Sequence, residues 1–534
     1  MIKIDSVKIS AKNVCDVKSY ICDKYKIKEC DIKTFKIIKK SLDARDKQDI
    51  LYIYTCSLSL NENKEKSLVN KYKNISFYNE IKYEIPKATN SNSKVIIVGF
   101  GPAGIFASYL LAIRGFKPIV IERGSSIDYR TKEVNDFWNN NKLLNSESNV
   151  QFGEGGAGTF SDGKLNTGVK DKEGRIEYIL ETFVKYGAKE NILYDSKPHV
   201  GTDILAKVIK EMREEILRLG GQILFNTRFD SIECSKDRIS SVNCTDLRNK
   251  ETINIPCDNL ILALGHSSRD TNRYLKNLLK MEQKPFAMGF RVIHKQDLIN
   301  ISQYGKNYLD IYESLPECSY KLTYQTKDNR GVYSFCMCPG GYVVNASSNE
   351  GKTCVNGMSY NDRASGYANS AIIVQIKPED LDSDDVLAGM EFQEQVEEKA
   401  YKAGNGKIPV CRLNDLDENL VEYKDSSIET KDALKGEYIN ANLNNIFPDY
   451  INASFLEGMK YFDNKIRNFA TSNPLIAGVE ARTSSPVKII RDDNFQANIK
   501  GVFPCGEGAG YAGGIISAAI DGMKVAEYII KEQK

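Results

Sequence analysis

The sequence predicts an α/β protein in which two glycine-rich strand-to-helix turns, far apart along the chain, serve one sheet. The first turn follows the apolar run Val95 to Val98, and the second precedes a C-terminal helix of small residues. Residues 285–440 differ, because they hold strand-like runs with glycine and asparagine turns and few long helical patterns. We therefore expect a core sheet built from both parts of the chain and interrupted by an inserted β-rich domain.

The first turn carries three glycines at fixed positions between a strand and a helix. Gly99 suits a tight turn, Gly101 lets the backbone approach a pyrophosphate, and Gly104 lets the helix pack on the sheet. The helix N-terminus then offers N–H groups and a partial positive charge to phosphates. The next strand ends in Glu122, whose carboxylate can bind the hydroxyls of an adenosine ribose. The pattern predicts a dinucleotide without a 2′-phosphate, such as FAD or NAD.

The second turn runs from Gly506 and Glu507 to Gly513 and Gly514 before the terminal helix. Glycines permit close backbone approach to an extended ligand, and the helix N-terminus favours negative charge. NAD is normally held by the first unit alone, whereas FAD is long enough to meet both turns. The two turns together favour FAD; glycines that serve only helix packing are the alternative.

Composition bounds the class of protein. The chain has 534 residues and a formal net charge of +2, so its overall charge does not favour nucleic acid. The opening MIKIDSVKIS has no signal-peptide pattern, and thirteen cysteines then indicate a reducing, cytoplasmic setting. The uncharged residues 95–113 are short for a membrane span and carry the glycine pattern, so we expect no span. With three histidines and no Cys/His cluster of zinc spacing, no metal site is expected.

Four regions follow from these patterns. Residues 1–88 form a small, mildly basic α/β domain, which the linker-like segment 87–94 joins to the rest. Residues 89–284 form the first part of the FAD-binding domain, residues 285–440 the inserted substrate domain, and residues 441–534 the C-terminal part of the FAD-binding domain.

The motifs together resemble a known family. GFGPAG, GEGGAGTFSDGKL, LALGHSSRD, FAMGFRVIH, FCMCPGG, GVEARTSSPVKI and CGEGAGYAGGI are similar to segments of the uncharacterised bacterial FAD-dependent dehydrogenases. That family, also described as NAD(P)/FAD-dependent oxidoreductases, lies in the superclass of geranylgeranyl reductases and aminoacetone-oxidase-like flavoproteins. The resemblance covers nearly the whole chain. It implies a Rossmann-like FAD domain of the two-dinucleotide-binding type, with a substrate domain inserted into it.

The resemblance also implies which residues bind the cofactor. They are Gly99, Gly101, Pro102, Ala103, Gly104, Glu122, Arg123, Gly155, Gly156, Ala157, Gly158, Ser161, Gly265, Gly506, Glu507, Gly513, Gly514 and Ile515. Leu264 stands where the superclass has a threonine, so a side-chain hydrogen bond is lost at that position.

Catalytic residues are not fixed by these patterns, but three candidates emerge. His266 could act as acid or base, as histidine side chains often do, or it could cap a loop. Lys164, with Asp162, could order the flavin or the substrate, or belong to a solvated loop. Arg482, ahead of Arg291, could anchor an anionic substrate or pair with an acid such as Glu480.

Cys336 and Cys338 flank one residue on a predicted strand, where positions two apart share a face. They could pack as small apolar side chains, or they could form a strained, redox-active disulfide.

The predicted function is an FAD-dependent oxidoreductase that moves a hydride between flavin and a small-molecule substrate. Because no second nicotinamide fingerprint is found, three electron partners stay open: transiently docked NAD(P)H, an electron-transfer protein, and oxygen. The alternative function is a flavoprotein that binds RNA through its basic N-terminal domain, although no RNA-binding signature supports a nucleic-acid partner. The sequence indicates no particular oligomeric state.

Overall fold

The computed structural model describes residues 1–140, 142–313, 315–417 and 430–532. The N-terminal region folds as a four-stranded antiparallel sheet with helices packed on it, as the sequence predicts. In spatial order its strands are Thr34–Asp43, Leu51–Ser59, Ile2–Ser10 and Ile75–Phe77. Its helices are Val17–Tyr25, the short 3₁₀ helix Glu29–Asp31, and Glu62–Lys71.

A five-stranded parallel sheet forms the centre of the molecule. In spatial order its strands are Val502–Pro504, Asn259–Leu262, Val95–Val98, Ile119–Ile121 and Gln222–Leu224. The first and third strands of this order carry the two predicted glycine turns, and only one strand separates them. The strands are short and apolar because a parallel sheet is covered on both faces.

Helices from both parts of the chain cover this sheet. Pro102–Ile113 and Ile515–Glu532 pack against each other where Gly522 meets Ala103, since a Cβ on Gly522 would lie 2.2 Å from the Ala103 carbonyl oxygen. The remaining helices of this part are Ile127–Asn139, Arg175–Lys185, Thr202–Arg218 and Arg269–Leu275, with 3₁₀ turns at Ala157–Phe160 and Glu190–Leu193.

A seven-stranded sheet forms the inserted β-rich region. In spatial order its strands are Thr323–Gln325, Gly331–Cys338, Tyr367–Ile376, Phe286–Lys295, Leu475–Glu480, Ile408–Arg412 and Tyr438–Asn440. Leu475–Glu480 pairs directly with Phe286–Lys295, so a division of the chain at residue 440 separates two strands that are hydrogen-bonded to each other. Local patterns miss this pairing because the two strands are far apart in sequence.

Small sheets and helices complete the described chain. The small sheets are Thr252–Pro256, Arg238–Asp246 and Thr227–Ser235; Met281–Gln283 and Val487–Ile489; and Val355–Met358, Tyr342–Asn345 and Leu434–Lys435. The helices are Gln296–Tyr304, Tyr308–Ile311, Pro378–Asp380 (3₁₀), Ala388–Ala403, Leu413–Leu416, Thr430–Ala433 and Asp449–Asp463. Among the described residues, no helix combines the length and apolar character needed to cross a bilayer.

Candidate cofactor and active site

A cleft of about 410 Å³ opens at the carboxyl ends of the parallel strands. Such an edge is where open α/β sheets bind ligands. Both glycine turns line the cleft, and the inserted region contributes a wall that includes Phe335, Cys336 and Asn356. The cleft therefore joins the central sheet to the inserted sheet.

Most of the predicted site residues line this cleft. They are Gly99, Gly101, Pro102, Ala103, Glu122, Arg123, Gly156, Ala157, Gly158, Ser161, Gly265, Glu507, Gly513, Gly514 and Ile515, together with the catalytic candidates Lys164, His266 and Arg482. Gly104, Gly155 and Gly506 lie behind the lining instead. A Cβ on Gly104 would lie 2.0 Å from the Gly99 carbonyl oxygen, so this glycine serves helix packing, as predicted.

Glu122 is buried at the end of its strand and organises the first turn. Its carboxylate accepts hydrogen bonds from the backbone N–H groups of Phe100 at 2.9 Å, Gly124 at 2.9 Å and Gly153 at 3.0 Å. It thus ties the first glycine turn to the loop that begins near residue 149. The assignment of this carboxylate to a ribose stays a prediction, and its lining position is compatible with that role.

Arg130 is a residue that the sequence analysis missed. It is fully buried and donates hydrogen bonds to backbone carbonyl oxygens of the glycine-rich loop. The acceptors are Asn149, Val150, Gly153, Glu154 and Gly156. Burial lowers the pKa of Arg130 to about 10, and the neighbouring Glu122 and Glu154 oppose that effect. The guanidinium therefore fixes the shape of the loop that faces the cleft.

The cleft has the features needed to hold a long, phosphorylated ligand. A Cβ added to Gly265, Gly513 or Gly514 would meet no protein atom within 4 Å, so these glycines leave space on the cleft side. The helices Pro102–Ile113 and Ile515–Glu532 both begin at the cleft, where their N-terminal dipoles favour phosphate oxygens and other negative charge. These observations fit FAD at this site.

His266 and Glu507 form a polar pair on the cleft wall. The Nδ1 of His266 lies 2.7 Å from both carboxylate oxygens of Glu507, and its backbone N–H donates to the same group at 3.0 Å. Burial alone would raise the pKa of Glu507, but His266 and Lys284 outweigh it and lower that pKa. An ionised Glu507 favours the tautomer in which Nδ1 carries the proton. Nε2 of His266 is then an acceptor, buried and without a hydrogen-bond partner among the described residues.

Lys164 and Asp162 lie in the same loop, and Asp162 is fully buried, which excludes a solvated loop at that position. Asp162 pairs with Lys164 at 3.0 Å and with Arg363 at 2.9 Å. Burial would raise the pKa of Asp162, but these two cations hold it well below its usual range. Lys164 keeps its ammonium at the cleft while Asp162 fixes its position.

Arg482 takes the alternative that the sequence left open, an ion pair with an acid. Its guanidinium donates two hydrogen bonds to Glu397, from Nε and from Nη2, each 2.8 Å from a carboxylate oxygen. Arg269 grips the same carboxylate with two further bonds of 2.8 Å. Arg482 also donates to Ser267 at 3.1 Å and touches Ser348. A single buried carboxylate therefore holds two arginines, one of which lines the cleft.

Arg291 is fully buried and lies 3.5 Å from Glu480, which lines the cleft. Burial raises the pKa of Glu480 to about 7, and Arg291 opposes that rise. Glu480 thus titrates near neutral pH on the cleft wall. Arg291 is not part of the cleft lining, and its Nε donates to Asn369 at 3.0 Å.

Comparison with known proteins assigns the chain to a family. It is 44% identical to an uncharacterized protein of Clostridium beijerinckii over 541 aligned positions, which cover 99% of each chain. Residues 285–483 match the profile of the FAD-dependent protein, C-terminal domain-like family. The chain belongs to a family of FAD-dependent proteins. Residues 1–59 match a domain of unknown function, DUF8436. The FAD-dependent family profile ends after the strand Leu475–Glu480, in line with that strand's place in the inserted sheet.

Solved structures show a more distant likeness to this FAD-dependent chain. A geranylgeranyl bacteriochlorophyll reductase-like protein of Thermoplasma acidophilum is 11% identical, with a TM-score of 0.35 over 82% of this chain and 78% of that chain. A flavoprotein/dehydrogenase of Cytophaga hutchinsonii is 12% identical, with a TM-score of 0.35 over 83% and 79%. Since both scores are low, the assignment rests on the sequence matches. It confirms the resemblance and the FAD cofactor that the sequence predicts.

Proposed function

We propose that this FAD-dependent protein is an oxidoreductase whose cleft binds FAD along the two glycine turns and a small substrate at the inserted wall. The observation that carries the proposal is the single cleft lined by both turns, by His266 and by residues of the inserted sheet. When bound, FAD supplies hydride or electron transfer, while the protein supplies orientation and electrostatics.

The proposed proton group is Nε2 of His266. Glu507 holds the ring through Nδ1 at 2.7 Å, so the ring keeps one orientation and one tautomer. A histidine so placed can take a proton from a substrate hydroxyl or amine, or return one, at neutral pH. Glu507 stabilises the imidazolium that forms.

The substrate end carries mixed polarity. Lys164 brings a positive charge, Asn356 an amide, and Phe335 an aromatic face. Arg482, held by Glu397, adds a second cation whose position is fixed before substrate arrives. These groups favour a small polar substrate with negative charge or hydrogen-bond acceptors, and an arginine fixed by its own ion pair orients such a group at little entropic cost.

The proposed electron donor is NAD(P)H that docks transiently in the same cleft, which needs no nicotinamide fingerprint of its own. An electron-transfer protein and oxygen are the competing partners. Anaerobic mixing of the flavin-loaded protein with NADH, then NADPH, then a panel of small acids and amines discriminates among them. Bleaching of the flavin by one of these compounds supports the proposal, whereas reduction by dithionite alone contradicts it.

His266→Asn tests the proton role with the compound that bleaches the flavin. Asparagine retains a donor near the Nδ1 position and removes Nε2, so FAD retention should not change. General acid–base catalysis typically contributes about 10²–10⁴-fold, and we expect a loss of that order in the rate of flavin reduction. A variant that reduces its flavin at the wild-type rate across the pH range would remove His266 from the mechanism.

A further inference from the structure

Two cysteines lie close together where the inserted sheet meets the cleft. Cys338 is buried, Cys336 lines the cleft, and the Cys338 thiol donates to the backbone carbonyl oxygen of Cys336 at 3.2 Å. The strand bulges between Phe335 and Cys338, and Cys336 has a φ of 44°. This backbone conformation is uncommon for a residue with a Cβ. The bulge turns Cys336 toward the cleft instead of burying it in the sheet.

Cations surround the pair. Lys164 Nζ lies 3.9 Å from the Sγ of Cys338, and Arg291 Nη2 lies 3.6 Å from the same atom. Arg291 Nη2 also donates to the backbone carbonyl oxygen of Cys336 at 3.1 Å. Nη1 of Arg291 is buried without a hydrogen-bond partner in the described chain. The two sulfurs therefore lie in a positive environment that favours a thiolate.

Two carboxyl groups also face the pair. Asp162 and Glu480 bring negative charge, and the former is already paired with Lys164 and Arg363. The Tyr320 side chain is buried nearby and remains neutral, since burial raises its pKa.

The two thiols have opposite tendencies. The neighbouring Cys338 lowers the pKa of Cys336, and Lys164 and Arg291 act in the same direction. Burial raises the pKa of Cys338 well above its ordinary value. Cys336 lines the cleft while Cys338 is fully buried behind it, so an entering disulfide meets the sulfur of Cys336 first. This is the arrangement of an attacking cysteine backed by a resolving cysteine.

We propose that Cys336 and Cys338 form a thiol–disulfide exchange site that reduces small disulfides entering the substrate end of the cleft. The proposal goes beyond hydride transfer and stands whether or not that proposed function holds, because it uses only these two side chains and their neighbours. Two residues in an extended strand span at most about 7 Å between Cα atoms, near the upper limit of disulfide geometry, and the bulge shortens that span.

The exchange balances without a further reactant. The Cys336 thiolate attacks one sulfur of the disulfide RSSR, a bond forms to Sγ, and RS⁻ leaves with the electron pair of the broken S–S bond. That RS⁻ takes the proton of Cys338, whose sulfur then attacks Sγ of Cys336 and expels the second RS⁻. The cysteine pair is oxidised to a disulfide, and RSSR is reduced to one RSH and one RS⁻.

The test uses the full-length, flavin-loaded protein, reduced and freed of reductant, with hydroxyethyl disulfide as the probe. Peptide mass mapping after alkylation should show a Cys336–Cys338 disulfide in the wild type. Cys338→Ser should stop at a mixed disulfide on Cys336, and Cys336→Ser should form neither product. Cys30→Ser, which removes an exposed thiol outside the cleft, is the matched control and should leave both steps unchanged.

Alkylation rates give a second readout that needs no variant. At neutral pH we expect iodoacetamide to modify Cys336 roughly tenfold faster than Cys30, because thiolate is the reactive form. Because the pKa of Cys336 is lowered, its alkylation rate should persist at pH values well below the ordinary range of a cysteine thiol. A wild type that forms no Cys336–Cys338 disulfide, or a Cys336 that follows the pH profile of Cys30, overturns the proposal.

Discussion

At the scale of single residues, the cleft depends on buried charges that have partners from distant parts of the chain. Glu397 is fully buried and accepts hydrogen bonds from both Arg269 and Arg482, with every bond at 2.8 Å. Removing one partner of a buried ionic group leaves charge without compensation, which is far more costly than losing a surface pair. The arginine at the cleft thus depends on a carboxylate in the helix Ala388–Ala403.

We expect Glu397→Gln to destabilise the fold by about 3–5 kcal/mol, since two buried guanidiniums lose their counter-charge. Urea unfolding measures the change. Glu398→Gln, one position further, is the matched control: its side chain is half exposed and pairs with Lys402 on the helix surface, so no measurable change is expected. Equal effects in the two variants would show that the buried triad does not stabilise the fold.

The same carboxylate predicts a pH dependence. Burial would raise the pKa of Glu397, but Arg269 and Arg482 hold it well below its usual range. Because its pKa is lower in the folded than in the unfolded chain, ionised Glu397 stabilises the fold at any pH above the ordinary pKa of a glutamate. This stabilisation is lost progressively as the pH falls below about 4. The difference in unfolding free energy between wild type and Glu397→Gln should therefore narrow in acid. A difference that widens as the pH falls would contradict this assignment.

At the scale of elements, the sequence predicts the helices and strands whose burial follows a local pattern of apolar residues. The strand Val95–Val98 and the helix Thr202–Arg218 match the expected positions, because apolar runs and amphipathic periodicity record their burial directly. The glycine turns are equally predictable from the sequence, since each glycine is required by the local geometry of its turn. The pairing of Leu475–Glu480 with Phe286–Lys295 is not predictable in this way, because pairing between distant strands leaves no local signature.

The residues of the candidate site also divide into those that local motifs predict and those that only the fold brings together. Gly513, Gly514 and His266 could be named from motif spacing, and all three line the cleft. Arg130 and Glu397 could not, because their importance lies in partners that only the fold brings together. A buried arginine within an amphipathic helix looks like any surface arginine in the sequence. Its burial is decided by the loop that folds over it.

Gly514→Ala tests the second turn as an element. A Cβ there meets no protein atom within 4 Å, so the chain should fold with unchanged stability. The methyl group would occupy space in the cleft, and we expect FAD to bind at least about tenfold more weakly, which equals about 1.4 kcal/mol. FAD titration of the apoprotein measures the affinity. Gly168→Ala, also free of contacts but outside the cleft lining, is the matched control, and equal affinities for the two variants would contradict the placement.

At the scale of the whole molecule, the basic N-terminal domain uses two of its cations, Lys36 and Lys47, in docking. Lys36 lies 2.9 Å from Glu80 and contacts Glu177 of the FAD-binding part, and Lys47 Nζ donates to the Ser302 carbonyl oxygen at 2.9 Å. Lys40 pairs through its backbone with Tyr194 and Ser196. The domain is therefore joined to both other parts of the chain by contacts that leave fewer cations for phosphates.

This arrangement predicts that the protein does not bind RNA. Bulk transfer RNA mixed with the protein at low salt should cause no mobility shift, because counterion release requires several free cations in a row. Lys33→Ala and Lys39→Ala, at exposed positions of the same domain, provide the comparison. A shift that disappears with salt and weakens in these variants would restore the RNA-binding alternative.

The central claim is that one FAD molecule spans the two glycine turns of the parallel sheet. The most direct test is to purify the full chain, denature it and identify the released chromophore by chromatography and mass spectrometry. We expect FAD at close to one molecule per chain, or stoichiometric binding of added FAD if the cofactor is lost during purification. A chain that carries no flavin and fails to bind added FAD would contradict the central claim.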